Sequence, residues 1–267
     1  MIARAAPSVV ALTVALIISA LVIALAGANP LLALAALVDG ALGSGDGWSE
    51  VAVRTGPLLL TGLAVTTAFR AGIWNIGAEG QLLIGAIAAA WLGTHVAGAP
   101  SWLAIAAVLS AAALGGAIWA GIAGVLKTER GVDEVISTIM LNFLALGLVG
   151  YLVHGPLMES AGSYPQSDAI ALSARLPRLV GGYRAHAGVF VAAAATCFAY
   201  VLLFRTKIGF AMRAGGLNPL AARLAGLPTT AAVLASLMTS GALAGIAGGI
   251  EVSAVTFKLY EIGRAHV

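Results

Sequence analysis

Long apolar runs, separated by short polar clusters, organise the whole chain. Seven segments approach the roughly 20 mostly apolar residues needed to cross a bilayer core: 8 to 28, 55 to 70, 80 to 95, 102 to 126, 135 to 153, 187 to 204 and 229 to 250. The long polar connection from residue 154 to 186 is rich in Gly, Pro and Ser, which predicts an extracytoplasmic surface loop with room for a short amphipathic helix. The pattern predicts an all-α, polytopic transmembrane helical bundle of about seven spans, forming one domain over residues 1–267. Within it, Ala112, Gly116, Ala120 and Gly124 lay small residues along one face of the fourth segment, and Gly241 and Gly245 do so in the last. Small residues let membrane helices approach closely, and glycine is also simply frequent in such helices.

Composition strengthens this reading. Hydrophobic residues make up 60% of the chain and charged residues 9%, and the mean hydropathy is +1.00, whereas soluble domains carry about 25% charge. The first uncharged stretch runs from Ala5 to Val38, and Ala26 and Ala28 would suit a signal-peptidase site. Its apolar core exceeds the roughly 7 to 15 residues of a signal peptide, so a retained first span is expected. The single cysteine, Cys197, lies in an apolar run and serves packing.

The formal charge is +3, but the basic residues sit at the ends of apolar runs and form no stripe, so they act as topology signals and imply no nucleic-acid partner. With the N-terminus cytoplasmic, the inner loops carry Arg4, Arg70, Lys127, Arg130, Arg205, Lys207, Arg213 and Arg223, as the positive-inside rule requires. The outer loops then hold Asp39, Asp46, Glu50, Glu159, Asp168, Glu251 and Glu261, with Arg175, Arg178 and Arg184 reducing the contrast.

Three polar stretches carry candidate chemistry. The first, GIWNIGAEGQLLIG from Gly72 to Gly85, places Asn75, Gly77, Glu79 and Gln81 between two short apolar runs. Residues 55 to 69 number fifteen and reach about 22 Å, short of the roughly 30 Å hydrocarbon core. A broken helix resolves this, with Asn75 capping the new helix and Glu79 in its first turn. Broken, Gly-interrupted segments point to a transporter's binding site. A cytoplasmic turn with hydrated Glu79 paired to Arg70 is the other reading.

The second stretch spans the cytoplasmic loop 205–228, RTKIGFAMRAGGLNPLAARLAGLP. Asn218 suits an N-cap, Pro219 the first helical position and Gly226 a left-handed C-terminal residue, while Pro228 blocks continuation. A helix of about two turns follows, too short to persist without packing on the bundle or a partner. A basic loop drawn to anionic lipid heads is the alternative. The third stretch, KTERGVDEVISTIMLN from Lys127 to Asn142, leads into a span whose start is capped or salt-bridged by Asp133 or Glu134.

Together these strings resemble the permeases of bacterial ABC importers in the branched-chain amino acid, simple-sugar and nucleoside superfamily, the nucleoside and simple-sugar branch above all. Relatives of NIGAEGQLLIGA (Asn75 to Ala86), GVxEVISTIMLN (Gly131 to Asn142) and RAxGxNPxAAxxAG (Arg213 to Gly226) occur in that order, and the likeness runs from Leu58 to Tyr260. The resemblance implies a permease in the bacterial inner membrane, carrying a nucleoside or simple sugar. Its implied partners are a cytoplasmic ABC ATPase that hydrolyses ATP, a second permease chain and an extracytoplasmic solute-binding lipoprotein. By resemblance, Arg213, Asn218, Pro219, Ala221, Ala222, Arg223 and Gly226 belong to the coupling helix that meets the ATPase, and Asn75, Gly77, Glu79 and Gln81 lie near the translocation pathway. Leu217 departs from the polar residue often found before the Asn-Pro pair. The tail EIGRAHV also departs from the family's continuation, and the resemblance implies further spans beyond it.

The chain has no GxxxxGK[ST] phosphate loop, so no cofactor and no ATPase chemistry of its own are expected. The histidines at 95, 154, 186 and 266 have no metal-ligand spacing, and neither a metal site nor a membrane enzyme is indicated. An ion-coupled secondary transporter of a small polar solute, with Glu79 as coupling carboxylate, is the alternative from another class.

Overall fold

The computed structural model describes residues 2–260, with side chains from residue 9 onward. Glu261, His266 and the rest of the tail, and the Arg4 side chain, lie outside the described residues. The protein is all-α: two isolated bridges, Gln166 with Tyr260 and Arg178 with His186, are its only β-type pairings among the described residues.

Two compact units divide the chain. The smaller comprises Met1–Val51 with Gly182–Arg184. It contains α1 (Ile2–Leu25), α2 (Pro30–Leu42) and the opening turns of α3 (Gly45–Arg70). Asn29 caps α2 by accepting from the Leu31 amide at 2.9 Å, and Pro30 supplies the preset first helical turn. The axes of α1 and α2 are bent by 114°. Arg184 closes the unit by an ion pair to Glu50 at 3.0 Å and a backbone bond to Ser49 Oγ at 2.8 Å.

The larger unit, Ala52–Gly181 with Ala185–Val267, holds the rest of α3 and then α4 (Ala78–His95), α5 (Ser101–Arg130), α6 (Glu134–Val153), α7 (Gly188–Arg205), α8 (Lys207–Leu217), α9 (Pro219–Leu224) and α10 (Thr229–Ile250). Its central element is α10, which runs on into a π-helical turn over Glu251–Thr256. Of its most apolar window 61% is buried, against 28 to 33% for the other long helices. It packs chiefly on α5 and α4. A Cβ on Gly116 would collide with the Gly241 carbonyl oxygen, and one on Gly241 would lie 2.5 Å from the Ala120 methyl. The small-residue ladder expected from the sequence is therefore where two backbones meet.

All seven predicted segments are helical. Five helices are long and apolar enough to cross a membrane: α3, α5, α6, α7 and α10 with its π turn. The count is six if the bent α1–α2 pair forms one span. Helix α4 has 18 residues, as α7 does, but it carries Glu79, Gln81 and His95 and is not among these five.

The long connection between α6 and α7 is tied down. Ser167 and Ile170 donate their amides to the carbonyls of Leu259 (2.7 Å) and Phe257 (2.9 Å), and Leu176 donates to Ser253 at 2.9 Å. A single 3-10 turn at Leu172–Ala174 stands where a short amphipathic helix was allowed for. Glu159, buried within the loop, accepts from Gln166 and from Lys258 Nζ at 3.1 Å.

Candidate functional site: a broken span beside a short exposed helix

Helix α3 ends at Arg70, and the chain turns through Gly72 (φ 72°) into non-helical backbone before α4 begins at Ala78. A non-helical stretch over residues 71–77 separates the two helices, but α3 is not short: it runs from Gly45 to Arg70, 26 residues, and is long enough to cross a membrane, so the shortfall expected from residues 55 to 69 does not arise. The cap of α4 differs too: Gly77, not Asn75, is the N-cap residue. Asn75 stands two residues earlier and is 2% exposed. Its Oδ1 accepts from the Gly77 amide and from Gln81 Nε2, both at 2.9 Å. Its Nδ2 donates to Gln81 Oε1 at 2.9 Å and to Ser240 Oγ at 2.8 Å. Ser240 in turn donates to the Ala64 carbonyl at 2.6 Å. One buried amide thus joins α3, the break, α4 and α10.

Helix α6 braces the other side. Asn142 accepts from the Gly80 amide at 2.8 Å and donates to the Ile76 carbonyl at 3.0 Å. Trp74 donates its amide to Glu134 Oε1 at 3.3 Å, and the Glu134 carboxylate is ion-paired with Lys127. Asp133 and Glu134 divide the two tasks expected of either: Asp133 caps α6 by accepting from Val135 at 2.8 Å, and Glu134 forms the salt bridge. The backbone of the break is answered by side chains of α6, Glu134 and Asn142, and by Asn75 within the break itself.

Glu79 lies in the first turn of α4, where the helix dipole favours an anion, and its side chain is exposed. It forms no ion pair among the described residues, and the Arg70 guanidinium lies instead 5.9 Å from the centroid of the Phe204 ring. The pairing of Glu79 with Arg70 is therefore not made. Gln81 is buried beside Asn75, and Gly77 leaves no room for a side chain, because a Cβ there would lie 2.9 Å from the Thr138 side chain. The stretch Asn75, Gly77 and Gln81 is the joint, and Glu79 is its exposed edge.

The second predicted stretch folds as its caps dictate. Asn218 Oδ1 accepts from the Ala221 amide at 3.0 Å, Pro219 opens α9, and Gly226 takes φ 75°. Ala222 is buried and anchors the helix, while Ala221, Arg223 and the side chains of Leu217, Leu220 and Leu224 are exposed. Arg213 lies apart from that surface: its Nε donates to the Leu203 carbonyl at 3.0 Å.

The two stretches meet through a contact the sequence reading did not single out. A Cβ on Gly216, near the end of α8, would lie 2.5 Å from the Arg70 carbonyl oxygen, and one on Gly72 would lie 3.0 Å from Gly216 Cα. A cavity of about 350 Å³ opens beside this crossing, lined by Ile73, Lys127, Gly216, Pro219 and Arg223. Paired glycines flanking two polar motifs were the available signal. Ser240 gave a weaker one, as a lone hydroxyl inside a Gly-rich span.

The described residues thus form an all-α bundle of span-length helices with a polar joint between α3 and α4 and a short capped helix beside it. The chain matches, over residues 47–263, the family described as branched-chain amino acid transport system / permease component, and it belongs to that family. It is 35% identical to a guanosine ABC transporter permease protein of Bacillus subtilis, over 91% of this chain and 70% of the relative. It is 38% identical to a glucose ABC transporter permease protein of Haloferax volcanii, over 78% of this chain and 57% of the relative. A nucleoside ABC transporter permease protein of Lactococcus lactis is 29% identical over 90% of this chain and 68% of its own length. The chain thus spans 57 to 70% of the length of these relatives. No solved structure matches it.

Proposed function

We propose that this chain is the membrane-spanning permease subunit of an ATP-driven ABC importer that carries a nucleoside or a simple sugar. The observation that carries the reading is the crossing of Gly216 on Gly72, which couples the short exposed helix α9 to the joint between α3 and α4. In this reading α9 receives the cytoplasmic ATPase on Leu220, Leu224 and Arg223. Asn218, Pro219 and Gly226 shape the helix, and Ala222 seats it on the bundle. Arg213 holds the base of α8. A push on α9 is passed through Gly216 to the segment Asn75 to Gln81, which lies along the translocation pathway. ATP is bound and hydrolysed by the partner, a second permease chain completes the channel, and an extracytoplasmic binding protein delivers the solute. The cargo class comes from the relatives, whose names specify guanosine, nucleoside and glucose. The membrane is the bacterial cytoplasmic membrane, with the N-terminus inside.

The ion-coupled alternative is less favoured, because the named relatives are ABC transporter permeases. The test is purification of the complex after Leu220→Glu with Arg223→Glu, both exposed on α9. Retention of an ATPase is expected to fall at least about tenfold, the effect of losing ~1.4 kcal/mol at an interface, while membrane insertion is unchanged. Full retention and full coupling would remove α9 from the mechanism.

A further inference from the structure

Between His186 and Glu251 the chain contains no carboxylate, yet it carries Arg205, Lys207, Arg213 and Arg223. Three of these gather where α7 hands over to α8. Thr206 makes the corner: its hydroxyl donates to the Leu202 carbonyl at 2.6 Å and accepts from the Gly209 amide at 3.0 Å. A Cβ on Gly209 would lie 2.7 Å from Leu203 Cα, so the corner is tight. Beside it runs a groove of about 820 Å³, lined by Phe204, Arg205, Lys207, Phe210, Arg213 and Leu227 among others.

The charges of this groove are unanswered. Arg213 lies 5.0 Å and Arg70 5.9 Å from the centroid of the Phe204 ring, within cation–π range. Arg213 makes one hydrogen bond, to a carbonyl. None of Arg70, Arg205, Lys207 or Arg213 forms an ion pair among the described residues. The three cations that line the groove, Arg205, Lys207 and Arg213, repel one another, and an anion between them relieves that repulsion.

The apolar part of the groove defines the anion's other half. Cys197, Tyr200, Val201 and Phe204 follow helical spacing along α7 and are all exposed, and the Tyr200 and Phe204 rings stack at 5.2 Å. This stripe runs along a span-length apolar helix and ends at the cations. A ligand with an anionic head and a long hydrocarbon tail matches both parts, and basic pockets at the ends of membrane helices hold such heads.

We propose that the groove at the α7–α8 corner is a binding site for an anionic phospholipid, its phosphate among Arg205, Lys207 and Arg213 and its acyl chain along Tyr200, Val201 and Phe204.

The test uses the full chain, purified in mild detergent with the subunits that accompany it. Native mass spectrometry and thermal unfolding are read with dioleoyl phosphatidylglycerol, with dioleoyl phosphatidylcholine and with inorganic phosphate. Phosphatidylglycerol is expected to be retained and to raise the unfolding temperature, and the other two to do neither. Arg205→Gln with Lys207→Gln should weaken phosphatidylglycerol binding about thirtyfold, from ~1 kcal/mol for each lost cation. Arg130→Gln, an exposed arginine at the end of α5 and not among the groove residues, should leave binding unchanged. Equal retention of phosphatidylcholine, a stabilising effect of phosphate alone, or an unaltered double variant would each overturn the proposal. So would release of an accompanying protein by the double variant with lipid binding intact, since the groove would then be a protein interface. If the double variant does not fold, the contrast between the two lipids on the unsubstituted chain decides.

Discussion

Asn75 and Gln81 face each other with their amides paired head to tail, each donating to the other's oxygen at 2.9 Å. The pair orients Asn75 so that the same Oδ1 also accepts from the Gly77 amide, one of the backbone donors left open by the break.

Asn75→Ala should cost about 2 kcal/mol or more, because Gln81 and the Gly77 amide are left buried without their partners. Thermal unfolding in detergent measures the loss. Uptake per inserted molecule should fall further than the loss of folded protein explains. Unchanged unfolding within about 0.5 kcal/mol together with normal uptake would mean that the joint has no mechanical role.

Glu79→Ala should behave differently. The side chain is exposed and forms no ion pair, so stability should stay within about 0.5 kcal/mol. If the pathway runs past the edge of the joint, uptake kinetics change while insertion does not. Normal kinetics would place Glu79 in solvent, outside the pathway.

Gly116→Val inserts a branched side chain where α5 and α10 touch backbone to backbone. Overpacking costs about 1–3 kcal/mol in cores that can adjust, and these backbones cannot adjust without separating. The expected result is poor recovery of folded protein from membranes. Gly147→Val, where a Cβ meets open space, should be recovered normally and serves as the control.

The long connection between α6 and α7 should respond to acid. Hydrogen bonds from Gln166 and then from Lys258 hold the Glu159 carboxyl below its ordinary value of 4.5. A lowered folded value means that the ionised, bonded form stabilises the loop fully above that ordinary value. The contribution is lost as pH falls through the folded value. Protection of the Ser167 and Leu259 amides from hydrogen exchange, taken relative to the intrinsic exchange rate at each pH, should be high at neutral pH and fall below about pH 4.5. Glu159→Gln should remove the pH dependence.

How much of this was legible in the sequence varies with how local the chemistry is. Helix α9 could be read directly, because Asn218, Pro219 and Gly226 act within one short stretch of chain. The interruption before Ala78 was visible as a polar, Gly-bearing stretch, although the brevity of residues 55 to 69 misled, since α3 begins at Gly45 and carries Arg54 within it. The role of Asn75 was not, because one of its partners, Ser240, lies 165 residues away, and the nearer geometry suited a cap equally well. Gly72 and Gly216 were visible as glycines, but nothing local indicates that they touch. The count of spans was blurred at α4, which is as long as α7 but carries Glu79, Gln81 and His95 toward its ends.

Contact between two backbones has no rotamers to exchange. Where α5 meets α10, therefore, neither helix can slide or roll past the other in small steps, and the pair serves as a keel for the bundle. The amide pair at the joint is the opposite kind of contact, since Asn and Gln can swap one acceptor for another at little cost. In the proposed importer, alternating access would re-partner a few hydrogen bonds around this fixed spine.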